Sequence, residues 1–174
     1  MGADGRERAW VRGAQAGRAS DLEALFAHHW RPAYRAAYLV VHDAAAAEDI
    51  AQEAFLAAVR HLDRFDRRRP FGPWLHRIVV NRAIDWTRAR AARPEAPGEL
   101  DRAEASEHVD EALSPPVVEA LRRLSPEHRA VIVLRYLLDY TPGEIGELLE
   151  LPRGTVNSRL RRGLDALAER LEDA

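Results

Sequence analysis

Apolar residues recur at three- and four-residue spacing along most of the chain, which is the period of amphipathic helices. In the first half this spacing predicts helices over residues 20–41, 44–62 and 71–92. Ser20 and Asp21 are suited to cap the first helix, and Pro32 inside it predicts a kink or a break. The arginine-rich stretch between residues 63 and 70 is predicted to be a turn.

The second half repeats the helical period in shorter pieces. A helix is predicted to begin near Ser114, where Pro115 and Pro116 suit a first helical turn. A further helix follows Ser125-Pro126, and the last two are predicted over residues 142–149 and 152–171. Strand-like alternation is absent from the sequence. The pattern therefore predicts an all-α fold with two small helical domains, the C-terminal one containing a helix-turn-helix.

The predicted boundaries follow proline, glycine and charge. Residues 1–18 are predicted to be a disordered or loosely attached N-terminal tail, and residues 19–93 a first domain. Residues 94–113 are predicted to be a flexible acidic linker, and residues 114–174 a second domain.

Charge is distributed unevenly although the formal net charge is only −2. Residues 60–93 hold ten arginines and three acids, a net of +7, whereas residues 94–120 hold eight acids and one arginine, a net of −7. Residues 153–162 add four arginines and no acid. Two basic blocks around an acidic segment indicate two modules that contact a polyanion, although solvated helix faces with local salt bridges would give a similar pattern.

Composition excludes several classes of chemistry. The chain has no cysteine, which rules out disulfides, thiolate zinc sites and cysteine nucleophiles. His28 and His29 are adjacent and point to different sides of a helix, and zinc-type histidine spacing does not occur, so no metal, cofactor or enzymatic activity is predicted. With no secretory signal and no apolar run long enough for a membrane span, the expectation is a cytoplasmic protein without direct membrane insertion.

The last two predicted helices carry the clearest motif. Thr141-Pro142-Gly143-Glu144 has the form of a capping box, and a tight turn at residues 150–151 leads into the final helix. That helix has an apolar back and a basic, amide-bearing front, as in a helix-turn-helix whose second helix enters the major groove. An ordinary antiparallel helix pair with a solvated polar face is the alternative. The candidate DNA-binding residues on this front are Arg153, Thr155, Asn157, Ser158, Arg159, Arg161 and Arg162.

These residues carry a resemblance to a known family. Residues 121–135, 140–145 and 151–160 resemble the promoter −35-binding domain of bacterial sigma factors, most of all the extracytoplasmic-function (ECF) group. Residues 47–55 are similar to the helix of that family that binds core RNA polymerase, and residues 71–85 resemble its −10-recognition helix. The resemblance implies a promoter-specificity subunit that binds core RNA polymerase and promoter DNA, promotes melting, and has an anti-sigma factor as partner.

The first domain agrees with this from its own residues. Spacings of three, four and seven place an acidic, amide and leucine face on one helix, which suits docking on another protein. The family implies that this protein is the clamp coiled coil of the polymerase β′ subunit, with the β flap as a second contact. The residues predicted to bind polymerase are Asp49, Gln52, Glu53 and Leu56.

The helix that begins near Phe71 carries the candidate −10 residues. Asn81 is the main candidate for base contact, Asp85 has a possible structural role as the i,i+3 partner of Arg88, and Phe71 and Trp74 are expected in the core. The family places a base-capture pocket in the preceding loop, at about residues 63–70. The residues predicted for −10 contact and melting are Arg67, Arg68, Arg69, Arg77, Asn81, Asp85 and Arg88.

Three positions depart from the family pattern. Glu150 stands where glycine is common, and a positive φ there would cost about 1 kcal/mol. Asn157 and Arg153 replace a usual basic and a common acidic residue, so the −35 sequence does not follow from a consensus. A helix-turn-helix regulator that does not bind polymerase is the main alternative function, since it would keep the final helix but leave the acidic face unexplained.

Overall fold

The computed structural model describes residues 3–92 and 113–172, and every regular element within them is helical. The all-α prediction is therefore confirmed for this part of the chain. Except for Leu113, the acidic linker predicted over residues 94–113 lies outside the described residues. The helices are α1 (Ala3–Gln15), α2 (Ala19–Val41), α3 (Ala44–Arg60), α4 (Phe71–Ala91), α5 (Pro115–Arg122), α6 (Pro126–Ile132), α7 (Pro142–Leu149) and α8 (Arg153–Glu172).

The N-terminal domain is a bundle of α1 to α4 with α2 at its centre. Its core combines many buried alanines and several aromatic rings with branched aliphatic side chains, of which Leu25, Leu39, Leu75 and Val79 are almost fully buried. Pro32 lies inside α2, which continues through it as one helix, so the predicted break does not occur. The N-cap of α2 is Arg18, which pairs with Asp21 in the first turn, rather than Ser20 or Asp21 as predicted.

Residues 3–18 do not form the loosely attached tail that the sequence predicts for residues 1–18. Residues 3–15 are helix α1, which packs on α2 through Val11, 2% exposed. The Gln15 amide donates to the backbone oxygens of Leu62 (2.7 Å) and Phe65 (3.0 Å). The Glu7 carboxylate accepts from the Phe71 backbone N–H at 2.8 Å. Each of these polar contacts joins two residues that are 47 to 64 positions apart in the sequence, so local apolar periodicity does not predict them.

The C-terminal domain packs α5, α6 and α7 against α8. Ser125 caps α6 by accepting from the His128 backbone N–H. A π-helical turn over Val133–Leu137 extends α6, and after the left-handed residue Asp139 the Tyr140 N–H donates to the Leu134 oxygen at 3.0 Å. The buried centre is formed by Val131, Leu134, Ile145, Val156 and neighbouring aliphatic residues.

The two domains contact each other directly. Helices α6 and α7 pack against α4, while α5, α6 and the π-helical turn pack against α2. Among the described helices, none combines the length and apolar character that crossing a membrane requires.

Candidate nucleic-acid and polymerase interface

Helix α8 presents a polar front and a buried back, as its sequence predicts. Val156, Leu160 and Gly163 are buried against the rest of the C-terminal domain. A side chain at Gly163 would lie 2.9 Å from the Ile132 Cδ1 atom, so the glycine allows the two helices to approach closely. On the front, Arg153, Asn157, Arg161 and Arg162 are exposed, and Thr155, Ser158 and Arg159 are half-buried. We call these seven residues the α8 face.

The turn that positions α8 is tightly specified. The capping box predicted at Thr141 and Glu144 is present in both directions. Glu150 adopts a left-handed conformation with φ 57°. Because this conformation is unfavourable for a residue with a side chain, the backbone is strained at this position. The Leu151 N–H donates to the Gly146 oxygen at 2.8 Å, and a Cβ atom on Gly146 would lie 2.8 Å from the Leu151 oxygen.

Helix α4 carries its predicted residues on one outer face, opposite the buried Leu75 and Val79. Asn81, Asp85 and Arg88 are exposed, and Arg77 is partly exposed. We call Arg77, Asn81, Asp85 and Arg88 the α4 face. The structural alternative for Asp85 is also present, because its carboxylate lies 3.9 Å from the Arg88 guanidinium.

The turn before α4 forms a concave site. Asp66 accepts from the Arg68 backbone N–H at 3.0 Å, which fixes the turn and leaves the side chains of Arg67, Arg68 and Arg69 exposed. Beside them lies a depression of about 440 Å³, lined by His61, Arg64, Phe65, Asp66, Arg69 and Trp74. Phe65 and Trp74 have ring centroids 4.6 Å apart. Aromatic surface beside arginines is a combination that binds an unstacked base and its phosphate.

Phe71 and Trp74 are both expected in the core of this region, and this is confirmed fully for Phe71 alone. Phe71 is 3% exposed, whereas Trp74 is half-buried and lines the depression.

The predicted polymerase-binding residues Asp49, Gln52, Glu53 and Leu56 are all exposed, and we call them the α3 face. Glu53 accepts from Arg82 at 2.5 Å and Gln52 donates to Glu48 at 3.0 Å, so these two side chains are held by neighbouring residues. Leu56 is 55% exposed.

Sequence reasoning missed two apolar residues near the α3 face. Val59 is 41% exposed and Phe26 on α2 is 43% exposed, with its ring 4.9 Å from that of Phe55. Val59 follows Leu56 by three residues, so the spacing could have identified it as a neighbour. Exposed apolar side chains beside fixed carboxylates are suited to a protein partner.

Sequence reasoning also missed the polar contacts between the domains. His76 Nδ1 and the Tyr140 hydroxyl lie 2.8 Å apart, and burial lowers the pKa of His76 to about 4. The buried Arg129 donates to the backbone oxygens of Val40 (2.5 Å) and Leu124 (3.0 Å), and burial lowers its pKa to about 10. Periodicity marks neither the His76–Tyr140 contact nor the Arg129–Val40 contact, because each of these two joins residues more than 60 positions apart.

Two arginines of the α4 face pair with acids of the C-terminal domain. The Arg77 guanidinium donates to the Glu150 carboxylate, and Arg88 donates to Glu127 through two nitrogens at 2.9 and 3.0 Å. Partial burial raises the pKa of Glu127, but hydrogen bonds from its own backbone and from Arg88, together with the positive charges of Arg88 and Arg159, outweigh this and lower it.

Among the described residues, one group of three metal-capable side chains comes together, formed by Glu7, His28 and His29. Its donor atoms lie within 4.8 Å of one another. Each Glu7 oxygen already has a hydrogen-bond partner, since the Phe71 backbone N–H donates to one and His29 Nε2 lies 3.1 Å from the other. These bonds lower the pKa of Glu7 and explain the cluster as a clamp joining α1, α2 and α4.

Each half of the chain matches a known protein family. Residues 25–93 match the family model described as Sigma-70 region 2, and residues 116–167 match that described as Sigma-70, region 4. The ECF RNA polymerase sigma factor SigW of Bacillus subtilis is 35% identical over 157 residues, covering 80% of this chain and 83% of the relative. SigL of Mycobacterium tuberculosis, also an ECF sigma factor, is 35% identical over 170 residues, covering 94% and 96%.

Solved structures of similar proteins have the same fold. The fold matches CnrH, solved in complex with the cytosolic domain of CnrY, with a TM-score of 0.73 and 28% identity over 97% of this chain and 98% of that one. It also matches the fold of the sigma factor RpoE from Bartonella quintana, solved with the anti-sigma factor NepR, with a TM-score of 0.70 at 20% identity over 87% and 97%. The chain therefore belongs to the ECF group of sigma factors, the promoter-recognition subunits of bacterial RNA polymerase.

Proposed function

We propose that residues 19–93 bind core polymerase and recognise and melt the −10 element, and that residues 114–174 recognise the −35 element. The observation that carries this division is that each domain has its own arginine-bearing outer face, one on α4 and one on α8. Helix α1 is a part of the first domain, since it is clamped to α2 and α4 by Glu7.

For the −35 element, the proposal is that α8 enters the major groove and reads bases with its exposed front. Arg161 and Arg162 can donate to guanine, Asn157 can pair with adenine, and Thr155 and Ser158 can hold phosphates. The buried back and the tight turn at Glu150 keep this helix rigid. Arg153 and Arg159 flank the front, where they can contact bases or the DNA backbone.

For the −10 element, the proposal is that the α4 face contacts the promoter and that one base is captured in the depression beside Phe65 and Trp74. A flipped base costs a few kcal/mol of lost stacking, which a ring and a nearby guanidinium offset. Arg67, Arg68 and Arg69 stand at the rim, where they can hold the phosphates of the displaced strand. Asn81 supplies the amide for base contact, with Asp85 and Arg88 beside it.

For polymerase, the proposal is that the α3 face docks on the β′ clamp coiled coil and that the C-terminal domain contacts the β flap. Exposed Leu56 supplies apolar area, while Asp49 and Glu53 supply charge complementarity to basic residues. The role is one of binding rather than bond-making, in the cytoplasm and with no resident metal or cofactor.

An anti-sigma factor is the further partner we propose. The similar protein CnrH was solved with the cytosolic domain of CnrY, and RpoE was solved with the anti-sigma factor NepR. This chain has a groove of about 160 Å³ with almost wholly apolar walls between α2, α5, the π-helical turn and α8. The rim residue Tyr136 is 59% exposed. An apolar helix of the anti-sigma partner would fit this surface.

Polymerase binding is tested most simply by charge reversal on the α3 face. Asp49→Arg and Glu53→Arg should each weaken binding to sigma-free bacterial core polymerase about tenfold or more, measured by fluorescence anisotropy of the labelled chain. Glu23→Arg, at an exposed position of α2, is the matched control and should leave binding unchanged. Unaltered binding of the Asp49 and Glu53 variants would contradict the assignment of the α3 face.

A further inference from the structure

The depression beside Phe65 and Trp74 is built on a segment with little regular structure. Residues 61–70 join α3 to α4 and hold a single 3₁₀ turn, Leu62–Arg64. The backbone hydrogen bonds within this segment span three residues each, as from the Phe65 N–H to the Leu62 oxygen at 3.1 Å. A segment held only by such local bonds opens easily, so its shape depends on what packs behind it.

Helix α1 packs behind this segment and bonds to it through Gln15. The side-chain nitrogen of Gln15 donates to the Leu62 oxygen at 2.7 Å and to the Phe65 oxygen at 3.0 Å. These oxygens belong to the first residue of the 3₁₀ turn and to the residue that ends it. An amide nitrogen carries two protons, and both are used here to tie the two ends of the turn to α1.

The backbone that Gln15 holds carries the aromatic wall of the depression. The Phe65 ring is buried, and its centroid lies 4.6 Å from that of Trp74. The neighbouring side chains of His61 and Arg64 also line the depression. A shift of the Phe65 backbone would therefore move the ring on which Trp74 packs and change the shape of the site. Gln15 itself does not line the depression, so it acts through the backbone that it holds.

The other end of the segment is also held by α1. Glu7, two helical turns before Gln15, accepts from the Phe71 backbone N–H at 2.8 Å, at the first residue of α4. Helix α1 is itself fixed on α2, because Val11 is buried and His29 Nε2 lies 3.1 Å from the Glu7 carboxylate. The chain from the 3₁₀ turn to the start of α4 is thus spanned by polar contacts to one helix.

We propose that Gln15 is a positioning residue for base capture: α1 braces the turn before α4, and this brace holds the depression in the shape that accepts a flipped base. The inference rests on the proposed function of the depression and adds α1 to the elements that serve it. Helix α1 precedes the residues that match Sigma-70 region 2, which begin at residue 25. A site already held in its binding shape loses less free energy to ordering when it takes up its ligand.

Two substitutions remove the brace in different ways. Gln15→Glu keeps the size of the side chain but has no donor at neutral pH, and it sets a carboxylate against two carbonyl oxygens. Gln15→Met removes both donors without adding charge, so it keeps the test valid if the glutamate variant does not fold. The matched control is Asp43→Ala, which removes the acceptor for the Ala46 N–H at the start of α3, outside the depression. Circular dichroism checks that each variant is folded.

The brace is tested without DNA by hydrogen exchange of the backbone amides of residues 61–70, measured by mass spectrometry. Exchange in both Gln15 variants should be about tenfold or more faster than in the wild type, because two hydrogen bonds that restrain the turn are lost. Exchange of the same segment in Asp43→Ala should match the wild type. Unchanged exchange in both Gln15 variants would overturn the brace.

Base capture is measured with the holoenzyme, formed from the chain and sigma-free bacterial core polymerase. The probe is a fluorescein-labelled promoter fragment from a start site mapped with the wild-type chain, with the template strand omitted opposite the −10 element. Each exposed base of the non-template strand is removed in turn to leave an abasic position. In the wild type, one removal should weaken binding about tenfold, because the stacking of the captured base is lost.

In both Gln15 variants the same removal should weaken binding less than about threefold, since the site that holds the base is no longer formed. A variant that had only lost stability would keep the full effect of base removal, as expected for Asp43→Ala. A full effect in the Gln15 variants would overturn the positioning role and leave the capture site in place. Absence of an effect at every base in the wild type would contradict the capture site itself, and the positioning role with it.

Discussion

Single residues fix the geometry of the helix-turn-helix more sharply than its hydrophobic pattern does. Gly146 lies within α7 and packs against the turn that follows the helix, where a Cβ atom would lie 2.8 Å from the backbone oxygen of Leu151. Backbone cannot move aside as the end of a flexible side chain can, so the position requires glycine. Glu150 pairs with Arg77 although its φ of 57° would suit glycine better, so a residue strained in its own domain serves the contact between domains.

At this scale the account predicts that Gly146→Ala destabilises the protein by about 1–3 kcal/mol, since the turn must shift to accept the methyl group. Gly143→Ala is the control in the same helix, where the nearest atom to an added Cβ is the Thr141 hydroxyl oxygen at 3.9 Å. That variant should be neutral or stabilising, because alanine favours helix over glycine. Urea unfolding of both variants gives the comparison, and equal stability of the two would contradict the close approach at Gly146.

At the scale of elements, most helices follow from local patterns and one does not. The capping box before α7, the prolines at first turns and the apolar period predict α3, α4, α7 and α8 nearly to the residue. The same period predicts which sides of α4 and α8 face outward. Helix α1 was wrongly predicted as a tail. Its apolar content is small, and its anchors are polar groups that bond to the backbone of a distant turn, which no local pattern records.

The polar anchoring of α1 gives a second prediction. Glu7→Ala removes the acceptor for the Phe71 N–H and the partner of buried His29, and should cost about 1–3 kcal/mol in the free energy of unfolding. Glu23→Ala, on the exposed side of α2, is the control and should change stability by less than about 0.5 kcal/mol. Thermal unfolding monitored by circular dichroism measures both. A Glu7 variant as stable as the control would show that α1 is not clamped in this way.

At the scale of the whole molecule, the uneven charge along the chain has a structural counterpart. Helix α4 falls within the arginine-rich segment of residues 60–93, and it meets acids of the C-terminal domain such as Glu127. The hydrophobic pattern predicts two domains and their outward faces, but it does not show that the two pack on each other. That packing depends on pairs such as His76 with Tyr140, which are 64 residues apart and ordinary in their local context.

The most direct test of the central claim is transcription in vitro, with the purified chain, sigma-free bacterial core polymerase and a library of genomic promoters. The account predicts discrete start sites that depend on this chain. These starts should be lost or strongly reduced when Asn81 on the α4 face or Arg162 on the α8 face is replaced by alanine, while Glu23→Ala leaves them unchanged. Chain-dependent starts that survive both substitutions would contradict the two assigned DNA faces. Absence of any start, together with absence of polymerase binding, would contradict the account as a whole and favour a helix-turn-helix regulator.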